Sequence, residues 1–339
     1  MIVDCDRHAA VARYTDLFPH MSLSWQKHFE RDEFVGSVND AANHIRVSER
    51  FVHEPPLAAT ASPVEDQTWL TIPHQGLTIN GWADQVAATA FLEALNSYAS
   101  EHFAPTPSAK IAAVVSPHDP PWSSEEIRRR AETASVGAVA LPLGGGLLGS
   151  TSFDRIFEAC AEVGLPVVIH FSGLEGRYVG APPLAGGVHY SAFSREVLMP
   201  QLAESNITSM CFEGTFEKHP RLRVLFAGFG FTWLTALLWR LDREWRTFRH
   251  DVPWVKRPPS TYVLEQVWVT SWPVREAKDP TVWERYGFSD DLKQRVVFGS
   301  HDPFDGDSPD EVRSVLGPDG DRLLAGGLPL LERELEAVA

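Results

Sequence analysis

Cysteine is scarce in this chain, and long apolar runs and an excess of positive charge are missing. The 339 residues include three cysteines, Cys5, Cys160 and Cys211, whose wide spacing excludes a disulfide framework and a zinc site made of Cys pairs. A formal net charge of −15 argues against a basic face for nucleic acid. No uncharged apolar run approaches the roughly 20 residues that span a bilayer. The residues after Met1 lack the basic and apolar regions of a signal peptide. We therefore expect a cytoplasmic protein with neither a nucleic-acid nor a membrane partner.

Short apolar segments alternate along the chain with longer segments of helical spacing. This alternation predicts βα units and a parallel sheet. Runs that are almost entirely apolar, such as residues 166–169, are typical of strands covered on both faces. The candidate strands lie near residues 1–6, 67–73, 110–116, 137–143, 166–170, 223–228, 266–272 and 295–300. Eight such strands predict a (β/α)₈ TIM barrel as a single domain over residues 1–339.

Two of the intervening segments have clear helical periodicity. In residues 152–163 the apolar side chains recur at helical spacing, and a Gly-Leu-Pro stop follows. In residues 233–249 a leucine-rich stripe predicts one buried face. We expect Trp239 and Trp245, on this second helix, to lie in the core.

Two long segments interrupt the alternation, residues 15–66 after the first strand and residues 171–192 after the fifth. In a barrel both would emerge at the carboxyl ends of the strands, where long loops usually bind substrate or act as lids. The alternative interpretation is surface decoration without a functional role.

The first strand carries polar side chains at alternate positions. Asp4, Asp6 and His8 are spaced by two residues, so an extended strand would point them to one side and Val3 and Cys5 to the other. Asp and His are donors that suit Zn²⁺, Mn²⁺ or Fe²⁺. By itself the pattern also fits a polar strand end with a hydrogen-bonded His.

Two other strands end in residues of the same kind. His170 closes the apolar run 166–169, and His301 and Asp302 follow the apolar run 296–298. Side chains at the carboxyl ends of barrel strands converge on the catalytic mouth. Three such ends together favour a metal centre over three unrelated core histidines.

With these motifs the sequence resembles the amidohydrolase-related group that includes aminocarboxymuconate-semialdehyde decarboxylase and the dihydroxybenzoate decarboxylases. The resemblance covers essentially the whole chain. The segments that carry it are residues 2–8 (Ile-Val-Asp-Cys-Asp-Arg-His), 16–19 (Asp-Leu-Phe-Pro), 166–170 (Pro-Val-Val-Ile-His), 216–222 (Phe-Glu-Lys-His-Pro-Arg-Leu), 237–242 (Leu-Leu-Trp-Arg-Leu-Asp), 299–300 (Gly-Ser), Pro303 and 305–309 (Asp-Gly-Asp-Ser-Pro).

The resemblance implies one divalent metal ion, usually zinc, with Mn²⁺ or Fe²⁺ as alternatives. Its ligands would include Asp6, His8 and His170. The family's fourth ligand is the Asp of Gly-Ser-Asp-Tyr-Pro, and here that position is His301, with Asp302 next to it. The resemblance also implies a homodimer.

The chain departs from the family pattern at two further places. The family usually has a His or Glu at the end of strand 6, where residues 226–230 read Phe-Ala-Gly-Phe-Gly. The usual Asn-Ala turn near the C-terminus is Gly326-Gly327.

Strand 8 therefore has two interpretations. In the first, His301 is the fourth ligand and Asp302 is a nearby acid–base group. In the second, the barrel no longer holds a metal and uses His8, His170 and Asp302 as acid–base groups, or merely binds a ligand. We favour the first, because imidazole is a good zinc ligand.

The predicted function is a metal-dependent lyase or hydrolase acting on a small acid or amide, which we expect to be aromatic. The alternative is a metal-free accessory protein. Candidate acids are Asp302, His189 and His20, and candidate cations for a substrate carboxylate are Arg177 and Arg275. Aromatic residues expected to wall the substrate are Phe171, Tyr178, Tyr190, Trp233 and Trp272.

Overall fold

Eight parallel strands form a barrel in which each strand pairs with the next one along the chain. This computed structural model describes residues 1–31, 67–82, 84–144, 146–172, 194, 197–273, 281–304 and 306–332. The strands are β1 (Ile2–Ala9), β2 (Gln67–Pro73), β3 (Ala109–Val114), β4 (Val136–Pro142), β5 (Val167–His170), β6 (Val224–Ala227), β7 (Val267–Thr270) and β8 (Val296–Val297). The predicted (β/α)₈ barrel is confirmed.

Backbone hydrogen bonds join the chain after β8 to β1 and bring the sheet round on itself. The amide of Cys5 donates to the carbonyl of Phe298 at 2.9 Å, and the amide of His8 donates to Asp302 at 2.8 Å. In the opposite direction His301 donates to Asp6 at 2.7 Å. The end of the eighth strand is therefore held against the polar half of the first.

Helices cover the outside of the barrel. A 3₁₀ helix, Tyr14–His20, follows β1, and two more, Thr78–Gly81 and Thr151–Phe153, precede longer helices. The α-helices are α1 (Leu23–Arg31), α2 (His74–Leu77), α3 (Gln85–His102), α4 (Pro120–Ala131), α5 (Asp154–Val163), α6 (Pro200–Phe212), α7 (Thr215–Lys218), α8 (Leu234–Phe248), α9 (Pro259–Gln266), α10 (Val282–Arg285), α11 (Asp290–Lys293), α12 (Pro309–Leu316), α13 (Pro318–Ala325) and α14 (Leu328–Leu331). Within the described ranges, no helix has both the length and the apolar character needed to cross a bilayer.

The core lies between the strands and these helices. All seven residues of β4 and all four of β5 are buried, as expected for strands with side chains packed on both faces. The predicted leucine stripe of α8 is buried, but Trp239 is 78% exposed, so its expected core position is wrong. Trp239 follows buried Leu238 by one residue, and one residue turns a helix by about 100°.

The segment after β1 contains more regular structure than the expected irregular loop, because the 3₁₀ helix and α1 lie within it. Residues 32–66 lie outside the described residues, as do residues 173–192 of the second long segment. Near the C-terminus, a side chain on Gly327 would overlap Cys5 Sγ and crowd Val3. Glycine at position 327, in place of a residue with a side chain, thus leaves room for Cys5 and Val3 on the outward face of β1.

Candidate metal centre

Four buried side chains converge at the mouth of the barrel. Asp6 and His8 come from β1, His170 is the last residue of β5, and His301 follows β8. Each offers one potential ligand atom, and these atoms all lie within 4.8 Å of one another. The three predicted strand ends therefore bring one carboxylate and three imidazoles together.

The Asp6 carboxylate is the centre of this cluster. Its Oδ1 lies 3.2 Å from Nε2 of His8 and 3.5 Å from Nε2 of His170, and its Oδ2 lies 3.7 Å from Nδ1 of His301. Both carboxylate oxygens are buried without a hydrogen-bond partner, as is Nε2 of His170. Buried polar atoms are usually satisfied. Buried metal-ligand atoms that lack a hydrogen-bond partner and lie within 4.8 Å of one another fit a cation. These residues therefore suit a divalent metal ion.

The orientation of His170 also suits a ligand. Its Nδ1 donates to the carbonyl oxygen of Phe171 at 2.6 Å. A carbonyl can only accept, so this bond places a ring proton on Nδ1 and leaves Nε2 to face the Asp6 carboxylate. Metal-binding histidines are commonly held in this way by a partner on the other ring nitrogen.

The protonation states of Asp6 and His8 are those that a cation requires. Burial alone would raise the pKa of Asp6, but the imidazoles of His170, His301 and His8 hold that pKa well below its usual range. Burial lowers the pKa of His8 to about 3. The carboxylate is therefore ionised and the His8 ring neutral near pH 7, as metal coordination demands.

Asp4 does not join the cluster, because β1 is not uniformly extended. The pairing register between β1 and β2 shifts between Asp4 and Arg7. Asp4 Oδ1 instead accepts the backbone amides of Asp6 at 3.2 Å and Ser300 at 3.0 Å. The bulge separates Asp4 from Asp6 in function: Asp4 ties β1 to the end of β8, and Asp6 faces the mouth.

We expect Asp4→Asn to change how stability depends on pH. Burial raises the pKa of Asp4 to about 6. A carboxyl whose pKa is higher in the folded than in the unfolded state stabilises the fold at low pH, and this contribution is lost as pH rises from about 4 through about 6. Asparagine keeps the acceptor oxygen and removes the charge. The variant should thus gain up to about 3 kcal/mol relative to wild type across this window. Urea unfolding at pH 4 to 7.5 measures the difference; parallel pH profiles would contradict it.

His301 and Asp302 lie on different sides of the chain after β8. His301 has a φ of +56°, in the left-handed region, and its ring lies in the cluster with Nδ1 3.1 Å from Nε2 of His8. The Asp302 carboxylate instead accepts from Arg7 at 2.7 Å, and its side chain is 51% exposed. The structure thus brings His301 into the four-residue group and places Asp302 at the rim.

Aromatic rings surround the cluster. Trp272 stacks on the His301 ring with centroids 4.0 Å apart, and the Phe171 ring lies 4.5 Å from that of His170. Phe304, which the sequence did not single out, lies 5.2 Å from His301. Phe304 lies three residues after His301 in the sequence, and this nearness to the strand-8 ligand position is the signal that could have identified it.

A fourth histidine, His74, was also missed. It follows β2, and its ring lies 5.3 Å from that of His8 and 5.0 Å from that of Phe304. Burial, reinforced by the neighbouring imidazoles, holds its pKa well below the usual range, so the ring is neutral. The sequence signal was a His placed directly after a candidate strand, residues 67–73.

The end of β6 has no room for the acid–base side chain that the family usually places there. Gly228 has a φ of +86°, and a Cβ on it would overlap the Phe171 ring and lie 3.3 Å from Nε2 of His170. The Phe171 ring therefore occupies the space into which a strand-6 side chain would project.

Other residues singled out in the sequence lie away from the cluster or outside the described residues. His20 lies in the 3₁₀ helix beside Glu101 at the end of α3. Trp233 donates its indole N–H to the backbone of Phe229 and Gly230. The residues outside the described ranges are Arg177, Tyr178, His189, Tyr190 and Arg275.

Known proteins share this architecture. The 5-carboxyvanillate decarboxylase from Sphingomonas paucimobilis is 15% identical with a TM-score of 0.67, over 98% of this chain and 99% of that chain. The 2,6-dihydroxybenzoate decarboxylase from Rhizobium is 14% identical with a TM-score of 0.61, over 97% and 98%. A dihydroxybenzoic acid decarboxylase from Polaromonas sp. JS666, with bound manganese and the inhibitor 2-nitroresorcinol, is 13% identical with a TM-score of 0.62, over 97% and 96%. At these identities the likeness shows the fold alone.

The family follows from the sequence itself. No curated protein matches this chain. A family profile described as amidohydrolase, however, matches residues 3–316. This match confirms the resemblance that the motifs indicated, and the chain therefore belongs to the amidohydrolase family.

Proposed function

We propose that this chain is a metal-dependent enzyme that removes carbon dioxide from a small aromatic acid without oxidation. The observation that carries this proposal is the buried group of Asp6, His8, His170 and His301 at the barrel mouth, with aromatic rings packed around it. The decarboxylases that share the fold support the choice of reaction.

The donor set of the cluster restricts the metal. Three imidazole nitrogens and one carboxylate suit zinc, and the Polaromonas decarboxylase holds manganese. When bound, a divalent ion would supply Lewis-acid polarisation of a substrate oxygen. We propose that Asp6, His8, His170 and His301 hold one such ion, with Zn²⁺ and Mn²⁺ as the two candidates to compare.

The rings around the cluster would select a flat substrate. Phe171, Trp272 and Phe304 offer apolar surfaces against which an aromatic ring can stack. His74 is half-buried beside His8 and neutral, so it can donate a hydrogen bond to a substrate oxygen. Charged and polar groups interact more strongly in a buried setting of this kind than in bulk water.

The reaction replaces a carbon–carboxylate bond by a carbon–hydrogen bond, so the site must deliver a proton to carbon. We propose Asp302 or His189 as the source of this proton and Arg177 as the cation for the substrate carboxylate. Asp302 lies at the rim with its carboxylate on Arg7. The proposals for His189 and Arg177 rest on the sequence, because both residues lie outside the described residues.

The proposal is tested by assaying metal-depleted protein reloaded with Mn²⁺ or with Zn²⁺. The substrates are 5-carboxyvanillate, 2,6-dihydroxybenzoate and other hydroxybenzoates, with aryl amides and lactones as the hydrolysis panel. We expect carbon dioxide release from a hydroxybenzoate that depends on added metal. If the aryl amides or lactones were hydrolysed instead, the reaction assigned to this centre would be hydrolysis rather than decarboxylation. A protein that takes up neither ion would favour the metal-free alternative.

A further inference from the structure

A second group of potential metal ligands lies on the outer wall of the barrel. His20 is the last residue of the 3₁₀ helix, and Glu101 and His102 are the last two residues of α3. Each offers one potential ligand atom, and these atoms lie within 4.8 Å of one another. The end of α3 leads into the start of β3, so this group lies at the opposite end of the barrel from the mouth.

Neighbouring contacts hold the two imidazoles of this outer group near the carboxylate. Nε2 of His20 lies 3.9 Å from Oε2 of Glu101. The ring of Tyr98 packs against both histidines, with its centroid 4.2 Å from that of His102 and 6.1 Å from that of His20. His20 is largely covered, with 15% of its side chain exposed, whereas Glu101 is 61% exposed. The covered imidazole thus supplies a fixed ligand, and the exposed side chains can adjust around an ion.

We propose that His20, Glu101 and His102 bind a divalent transition-metal ion, preferentially Zn²⁺. Two imidazoles and one carboxylate form a donor set that suits zinc, whereas Mg²⁺ and Ca²⁺ favour oxygen ligands. Ligand atoms around tetrahedral zinc lie roughly 3.5 Å apart, given metal–ligand distances of about 2.1 Å. The outer group reaches that spacing by rotamer changes of the exposed side chains at the end of α3.

A bound ion at this position would cross-link two elements that are distant in sequence. The 3₁₀ helix begins the long segment after β1, and α3 belongs to the helical wall. An ion that binds the folded chain and not the unfolded one stabilises the fold by mass action. The outer site therefore anchors the start of the long segment and takes no part in the chemistry at the mouth.

The test separates this site from the mouth cluster by measuring zinc uptake at micromolar free Zn²⁺. Equilibrium dialysis with elemental analysis compares wild type with His102→Ala, and with His250→Ala as a control at an exposed histidine. We expect His102→Ala to bind one equivalent fewer than wild type with unchanged catalytic activity, and His250→Ala to bind as wild type does. Equal uptake by His102→Ala and wild type, or uptake only at millimolar zinc, would overturn the proposal.

A second measurement removes the mouth cluster altogether. In an Asp6→Asn background, zinc should still raise the midpoint of thermal unfolding, because the outer site remains. Adding His102→Ala to that background should abolish the rise. The proposal is wrong if zinc has no effect in the Asp6→Asn protein, or if the rise survives His102→Ala.

Discussion

Asp6→Asn is expected to abolish metal binding at the barrel mouth and, with it, catalytic activity. Asp6 is the carboxylate that lies within 3.7 Å of a ring nitrogen of each of His8, His170 and His301. Asparagine has nearly the same shape but no charge, so it cannot offset the charge of a cation among buried imidazoles. Loss of a group that merely supports a ligand costs roughly 10–100-fold in metal affinity or activity, and loss of the ligand itself should cost more.

Elemental analysis measures the metal content of the variant and an activity assay measures its turnover. The two results are compared, because metal and turnover should be lost together. Asp290→Asn is a matched control, because Asp290 lies on α11 with 93% of its side chain exposed. That variant should keep both metal and activity. If Asp6→Asn kept wild-type metal content and turnover, the cluster would not be the metal centre. If it kept turnover while losing metal, the acid–base alternative would be favoured.

Substitutions at His301 should decide what the departure at strand 8 does. His301→Asn keeps a residue that tolerates the left-handed backbone at φ +56° but replaces imidazole by a poor ligand. We expect this variant to lose at least about 10-fold in metal affinity, at the lower end of the cost of disturbing a metal centre. His301→Asp supplies the carboxylate found at this position in the family pattern. Because a carboxylate is a harder donor than imidazole, this variant should bind metal again and shift its preference from Zn²⁺ towards Mn²⁺.

Competition dialysis with equal concentrations of Zn²⁺ and Mn²⁺ measures both effects at His301. Asp302→Asn is the companion variant, because the Asp302 carboxylate contacts Arg7 rather than the cluster. It should keep wild-type metal affinity. Unchanged affinity in His301→Asn, together with a loss in Asp302→Asn, would assign the fourth ligand to Asp302.

The barrel and the strand ends could be predicted from the sequence because both depend on local patterns. Strands packed on two faces must be apolar along their length, and β4 and β5 show this directly. A polar residue that closes such a strand lies at the mouth whatever the details of packing. His170 is the clearest example.

Other features could not be predicted, because they depend on contacts between elements distant in sequence. The bulge in β1 is defined by its register against β2, and it separates Asp4 from Asp6 although their spacing suggests one face. The end of β6 lacks an acid–base side chain because the Phe171 ring, which follows β5, fills the space beside Gly228. Trp239 is exposed because the helix turns it away from the buried leucines, whatever its apolar character.

The sequence by itself determined the eight-stranded barrel, the family and the residues that end β1, β5 and β8. It could do so because alternation, apolar runs and terminal histidines are properties of neighbouring residues. Only the tertiary structure decided which of two adjacent residues after β8 faces the mouth. A left-handed backbone at His301 points that ring inward, and the salt bridge to Arg7 holds Asp302 at the rim. The tertiary structure also placed His74 and Phe304 beside the cluster, because closing the barrel brings the ends of β2 and β8 into contact with His8.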